Sequence, residues 1–275
     1  MTTLLTSILR RVNSESSTIG LRGKQFLAAI LPARALMGLK KRYYLGLLRK
    51  DSDELMEIDA KALPNLVKPG DFAIDVGAFV GFYTQRLSRL VGPTGMVWSF
   101  EPMPQTFEIL VSAARRLGLT NVRFLPFAVS DREEATAMEI PRYRGGGESW
   151  WDARITSQAP HEPNHAFRQV AINTRTLDSL LAGTDRRVTF IKIDAEYHEY
   201  HCIRGATETL GRWHPVIQVE TLGSVDDEGT ELRAMVDLLG GLGYAPYRFD
   251  GTRFHLRQRG ESQQNLFFSV RPPVA

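Results

Sequence analysis

Asp71-Phe-Ala-Ile-Asp-Val-Gly-Ala-Phe-Val-Gly-Phe-Tyr-Thr84 decides the fold of this chain. Phe72 to Val76 is a short apolar run of strand formers, introduced by the turn residues Pro69-Gly70-Asp71 and too brief for a helix. Gly77 and Gly81 follow, and Phe82 to Val91 has helical spacing. A strand that enters a helix through glycines brings bare backbone to a ligand at the carboxyl end of an open α/β sheet. The loop from Asp75 to Gly81 is therefore the expected cofactor seat. A dinucleotide fingerprint has three glycines and a pyrophosphate over the helix N-terminus. Here the spacing is G-x-x-x-G behind Asp75, whose carboxylate would repel a diphosphate. A ligand with an ammonium group and no phosphate suits the loop better.

The next strand strengthens that reading. Met96 to Phe100 ends at Glu101-Pro102, 26 residues beyond Asp75. An acid at that strand end can accept both hydrogens of a ribose diol, or it can cap the helix that starts near Pro104. S-adenosylmethionine has the required ammonium and ribose, and D-V-G-x-x-x-G after a strand resembles motif I of the class I methyltransferases. Asp75, Gly77, Ala78, Gly81, Glu101 and Pro102 are the candidate cofactor residues.

The rest of the chain repeats the alternation. Helical spacing over Gln105–Leu117 precedes a third strand over Asn121–Val129, and the polar Ser130-Asp131 after it could meet an adenine edge or form a plain turn. Val188–Asp194 and His214–Glu220 read as the fourth and fifth strands, each ending on an acid, with helices at Glu199–Leu210 and Glu228–Leu239. Gly243–Phe249 and Asn265–Val270 close the sheet. The expected fold is a doubly wound, mostly parallel sheet of seven strands. Residues 131–174 break the pattern with short strands around Gly145-Gly-Gly-Glu-Ser-Trp-Trp151, an insertion expected on the substrate side. There Trp150 and Trp151 could stack on a sugar or lipid, or anchor the insertion.

Composition bounds the partners. The 275 residues are 43% hydrophobic and 24% charged, ordinary for a globular protein, so the division expected is residues 1–51 as a helical appendage and 52–275 as one domain. Cys202 is the only cysteine, which excludes an internal disulfide and a cysteine metal cluster and is compatible with a reducing compartment. The net charge of +3 hides a basic segment: residues 1–50 hold ten Lys and Arg against Glu15, leaving an acidic body. Such a segment could cover the substrate side of the body or make a peripheral membrane contact. Its apolar runs are interrupted at Pro32 and Arg34 and are too short to span a bilayer, and no signal peptide is read. The expected localisation is cytoplasmic, at most membrane-peripheral. An acidic body without a base-pocket motif argues against a nucleic-acid substrate.

Taken together, Ile74–Thr84, Phe100-Glu-Pro102, Ala128-Val-Ser-Asp131, Thr176-Leu-Asp178, Phe190-Ile-Lys-Ile-Asp-Ala-Glu-Tyr-His-Glu199, Arg204-Gly-Ala206 and Val219-Glu220 resemble the FkbM family of methyltransferases across roughly residues 55–271. The resemblance implies a class I Rossmann-like fold, S-adenosylmethionine as donor, and a hydroxyl acceptor on a sugar, polyketide or lipid-linked molecule. One departure bears on the acceptor: the family commonly has glycine where Tyr197 stands between Glu196 and His198. Tyr197 is therefore a candidate substrate-side residue.

A hydroxyl must lose its proton as the new bond forms, and Asp194, Glu196 and His198 are the candidate bases near the fourth strand's end. Alternatively Asp194 and Glu220, at adjacent strand ends, could hold Mg²⁺. Two other classes stand beside the enzyme reading: a noncatalytic small-molecule binder that retains the fold, and a nicotinamide-dependent oxidoreductase, which the Asp75 loop disfavours. The sequence does not fix the oligomeric state.

Overall fold

The computed structural model describes residues 32–50, 58–142, 148–150, 152–155, 167–261 and 263–274. Its main sheet has eight strands in the order β3-β2-β1-β8-β9-β12-β10-β11. These are β1 (Phe72–Val76), β2 (Met96–Phe100), β3 (Val122–Leu125), β8 (Val188–Ile193), β9 (Val216–Glu220), β10 (Ala245–Phe249), β11 (Phe254–Leu256) and β12 (Asn265–Ser269). The five strands from β3 at the edge to β9 run parallel, and β12 enters antiparallel between β9 and β10. From β1 the chain winds outward through β2 to β3, whereas β8 and β9 lie on the other side. The order thus reverses between β1 and β8, and at such a switch point the crevice above the strand ends is open to a ligand.

The eighth strand goes beyond the seven expected. β11 is three residues long, pairs with β10 alone, and lies at the sheet's edge, too short to give an alternating signal. The expected third strand also divides. Pro126 has no N–H for a ladder, so Val122–Leu125 stays on the main sheet while β4 (Ala128–Val129) joins a second sheet. That sheet has the order β4-β7-β5-β6, with β5 (Ala135–Pro141), β6 (Arg154–Ile155) and β7 (Phe167–Arg175) from the expected insertion. Ala128, Met138, Ile140, Ile155 and Ile172 of this sheet, with Ala153 just before β6, pack with Met103 as a separate apolar cluster.

The helices are α1 (Ala33–Lys50), α2 (Leu63–Leu66), α3 (Phe82–Val91), α4 (Pro104–Leu117), α5 (Leu177–Leu181), α6 (Glu199–Arg204), α7 (Thr207–Trp213) and α8 (Glu231–Gly241), with a 3₁₀ turn at Ile58–Ala62. α3 buries Leu87 and Val91 against Ala73, Val97 and Phe190. Each such fully buried side chain contributes about 1.5–3 kcal/mol, which fixes the end of the glycine loop. The helix expected over Glu199–Leu210 is broken at Gly205. A Cβ there would lie 1.9 Å from the Ser130 carbonyl oxygen, so the chain must be bare where it passes β4.

α1 is amphipathic and lies along α4. Leu45 and Leu48 meet Ala113, and Tyr44 packs with Val80 and Ile109 at the start of the first crossover. Gln85 Nε2 donates to the Leu48 carbonyl at 3.1 Å, which ties the end of α1 to α3. The exposed Lys41–Glu108 pair adds little to this apolar contact. No helix among the described residues is long and apolar enough to cross a membrane.

Candidate active site

Above the carboxyl ends of β1, β2, β8 and β9 lies a cavity of about 300 Å³. Its floor is the glycine loop. Gly77 (φ +77°) and Ala78 both donate their N–H to the Phe100 carbonyl, at 3.0 and 2.9 Å, which bends the loop towards β2. A Cβ on Gly77 would lie 1.7 Å from the Asp194 carbonyl oxygen, so the loop and the end of β8 touch backbone to backbone. Gly81 (φ +104°) then starts α3, where a Cβ would be 2.7 Å from Leu110 Cδ1.

Glu101 ends β2 at one side of this floor. Its Oε2 accepts from the Phe79 N–H at 2.8 Å, and its Oε1 accepts from the Met103 N–H at 2.9 Å and the Thr106 hydroxyl at 2.7 Å. A carboxylate has about four acceptor positions, so capacity remains for a hydroxyl in the cavity that Glu101 lines. Burial pushes its carboxyl up to about 7 despite those three donors.

Asp75 is placed differently from its neighbours in the motif. It is buried at 1% exposure, is not among the residues that line the cavity, and accepts a 2.5 Å hydrogen bond from Thr84, whose hydroxyl also meets Ser99 at 2.8 Å. Burial raises its carboxyl to about 6. Its contact with any ligand is thus through the loop that it braces. Gly77 and Pro102 line the cavity; Ala78 and Gly81 shape the loop without doing so. Ser130 and Asp131 turn away. Ser130 Oγ is 3.0 Å from His198 Nε2, while Asp131 pairs with His201 and Arg204, both at 3.1 Å.

The same cavity is lined by a group of acids. Asp194, Glu196 and Glu220 bring carboxylate oxygens within 4.8 Å of one another on the cavity wall. Burial, then repulsion from Asp194 and Glu220, pushes Glu196 up to about 8. Burial and Asp194 likewise raise Glu220. Two of the three have protein donors already: Lys192 Nζ is 3.2 Å from Asp194 Oδ2, and Gln264 Nε2 is 2.8 Å from Glu220 Oε1. A dication here would sit against the Lys192 ammonium, so the cluster does not suit Mg²⁺. His198 also lines the cavity, but burial and the stacked His201 ring at 4.8 Å lower it to about 4.

The remaining wall is apolar and was less legible. Met103, Phe127, Met138, Ala153 and Ile155 line it, and Met138 and Ile155 come from the second sheet with Ala153 just before β6. Trp150 joins them, its indole donating to Glu148 at 3.1 Å and its ring lying 3.1 Å beneath the Lys40 ammonium of α1. Trp151 lies outside the described residues. Tyr197 is 42% exposed and stands outside the cavity lining at φ +72°, directly after Glu196 at φ +48°. A left-handed non-glycine residue costs about 1–2 kcal/mol. Tyr197→Gly is therefore expected to raise the unfolding free energy by about 1 kcal/mol in urea titrations. A variant no more stable than the parent would show that the ring's contacts repay the backbone.

The FkbM methyltransferase domain model matches residues 75–246, more than half of the chain. The chain belongs to the FkbM methyltransferase family. The strand order of the main sheet is that of the class I methyltransferase fold. The FkbM methyltransferase of Methylobacillus flagellatus KT is 16% identical, with a TM-score of 0.45 over 72% of this chain and 43% of that one. An S-adenosylmethionine-dependent O-methyltransferase of Thermotoga maritima is 15% identical, with a TM-score of 0.43 over 77% and 63%. The catalytic subunit TRM61 of the tRNA (adenine(58)-N(1))-methyltransferase of Cryptococcus neoformans is 46% identical over 57 residues. That stretch is 21% of this chain and 13% of the TRM61 subunit, so the chain spans a small part of the curated relative's length.

Proposed function

We propose that this FkbM domain is an S-adenosylmethionine-dependent O-methyltransferase acting on a hydroxyl of a sugar, polyketide or lipid-linked small molecule. The observation that carries the reading is one cavity lined by Gly77 and Glu101 and also by the acids Asp194, Glu196 and Glu220. When bound, S-adenosylmethionine supplies a methyl group already activated on a sulfonium. Glu101 has acceptor capacity for its ribose, Gly77 gives the close backbone approach, and Pro102, Met103 and Phe127 offer apolar surface to the base. Asp194 faces the cavity beside Gly77, where a carboxylate favours the ammonium and sulfonium. Alignment of donor and acceptor in such a cleft can supply roughly 7–11 kcal/mol of the barrier.

The acceptor hydroxyl must still lose its proton. Glu196 has no hydrogen bond to give up among those found for the described residues, lines the cavity, and holds its proton up to about 8, so its ionised form is a base matched to neutral pH. His198 is the weaker candidate, since its ring is committed to Ser130 and its affinity for a proton is low. Three clustered carboxyl groups also disfavour a phosphate-rich acceptor, which speaks for a small molecule over nucleic acid.

The test combines calorimetry with label transfer. S-adenosylmethionine should bind with micromolar affinity, and Glu101→Ala should weaken it about a hundredfold by removing the ribose acceptor and freeing the Phe79 turn. Methyl-labelled donor should then mark a small molecule in cell extract, identified by mass spectrometry. Label found in RNA alone would move the acceptor to another class, and absence of donor binding would remove the reading.

A further inference from the structure

Lys192 has no part in the chemistry above, yet it is the one lysine or arginine fully buried among the described residues, at 1% exposure. It stands in a row across the main sheet. Ser99 on β2 pairs with Asp75 on β1, Asp75 with Lys192 on β8, and Lys192 with Gln218 on β9. All four are buried and face the same side. An ammonium in such a place costs several kcal/mol unless it is paired. Its contacts are with its own strand's end and with α3. Nζ is 3.2 Å from Asp194 Oδ2 at its own strand's end and 3.5 Å from the Ile193 carbonyl oxygen, and it lies 5.0 Å over the Tyr83 ring of α3. Burial raises Asp75 on β1, Glu199 on α6 and Glu220 on β9, and the Lys192 charge opposes that rise in all three.

We propose that Lys192 is the fixed cation of this site, a positioning residue that holds the Asp194 carboxylate at the Gly77 loop. Tyr83 keeps the ammonium in place from the other side, its hydroxyl accepting from Gln218 Nε2 at 3.0 Å. Lys192 does not itself line the cavity, whereas Asp194, the carboxylate it touches at 3.2 Å, does. The inference rests on the methyltransferase reading for the part Asp194 plays, but the presence of a built-in cation is independent of it.

Two measurements separate these. Wild-type protein titrated with Mn²⁺, followed by its electron paramagnetic resonance signal, should leave the ion free at millimolar concentration. Uptake that Asp194→Asn abolishes would overturn the proposal, because the acids would then be a metal site. In calorimetry, Lys192→Met and Asp194→Asn should each weaken S-adenosylmethionine about tenfold, as expected for one charge-assisted contact, and the double variant should be no weaker than Asp194→Asn alone. Losses that add, or a Lys192→Met protein with parental affinity, would show that Lys192 does not act through Asp194. Circular dichroism checks that each variant is folded, and the Mn²⁺ titration needs no variant of Lys192 at all. A wild type that binds no donor would sink the functional reading while the Mn²⁺ result still decides the cation.

Discussion

Gly77→Ala is expected to abolish measurable S-adenosylmethionine binding while leaving a folded protein. The added Cβ would lie 1.7 Å from the Asp194 carbonyl oxygen and 2.8 Å from its carbon, both backbone atoms that cannot rotate away. Nor can the strands part easily. β1 and β8 are paired in the middle of the sheet, and the Asp194 N–H donates to the Val76 carbonyl at 3.1 Å, one residue before the glycine. Alanine at φ +77° adds a left-handed penalty of about 1–2 kcal/mol. The loop must therefore swing off β8, carrying the Gly77 and Ala78 hydrogen bonds to Phe100 with it. A displacement near 1 Å costs about a hundredfold in a positioned site, and here the seat itself moves. Gly118→Ala is the control: φ is +72°, but nothing lies within 4 Å of the added atom. It should lose about 1–2 kcal/mol of stability and no affinity. Calorimetry on both variants decides; parental affinity in a folded Gly77→Ala protein would sink the seat.

The Gly77 loop is also the part of the molecule most legible in the sequence. Its strand, glycines and helix follow from periodicity and backbone freedom, which act over a few residues, and α3 has the bounds expected for it. What local patterns do not carry is partition between sheets. The apolar run Asn121–Val129 reads as one strand, but Pro126 sends its halves to different sheets, and only the later pairing of Val129 with Arg175 reveals it. The same limit governs the site. Acids at strand ends are visible as acids, and Asp194, Glu196 and Glu220 do converge. Direction is not visible: Asp75 ends up beneath the loop with Thr84, and Asp131 faces His201, because a helix arriving later in the chain supplies the partner. Met138, Ala153 and Ile155 were missed for a related reason. Their alternation marks an inward face, without saying that the face covers a cavity rather than a core. Lys192 could have been found, since one lysine in the run Val188–Ile193 has no solvent to reach.

Glu196→Gln should lower kcat by about 10²–10⁴-fold and leave S-adenosylmethionine affinity near the parental value. The proposed roles argue for a loss at the transferring step: Glu196 is the proposed base, whereas the proposed donor seat is formed by Glu101 and Gly77. The pH dependence supplies the sign. Burial and the neighbouring carboxylates raise Glu196 to about 8, so the basic form is the minor one at neutral pH and parental turnover should climb as pH rises through about 8. The variant's residual turnover should lack that limb. Stability should move in the opposite sense. Below the ordinary carboxyl value the folded and unfolded chains both carry the proton, and the substitution is neutral. Between that value and about 8 only the unfolded chain releases it, so the parent progressively loses stability relative to the glutamine variant, and the difference levels off above about 8. Thermal melts at pH 5, 7 and 9 would read this without any acceptor. His198→Ala separates the other candidate: lowered to about 4, His198 would impose a limb far below neutrality. A parental profile that rises near 4, together with undiminished turnover in Glu196→Gln, would transfer the base to His198. The combination expected here, a limb near 8 and a stabilised variant at alkaline pH, requires a carboxyl group that is buried, crowded by like charge and open to the acceptor, and Glu196 meets all three conditions.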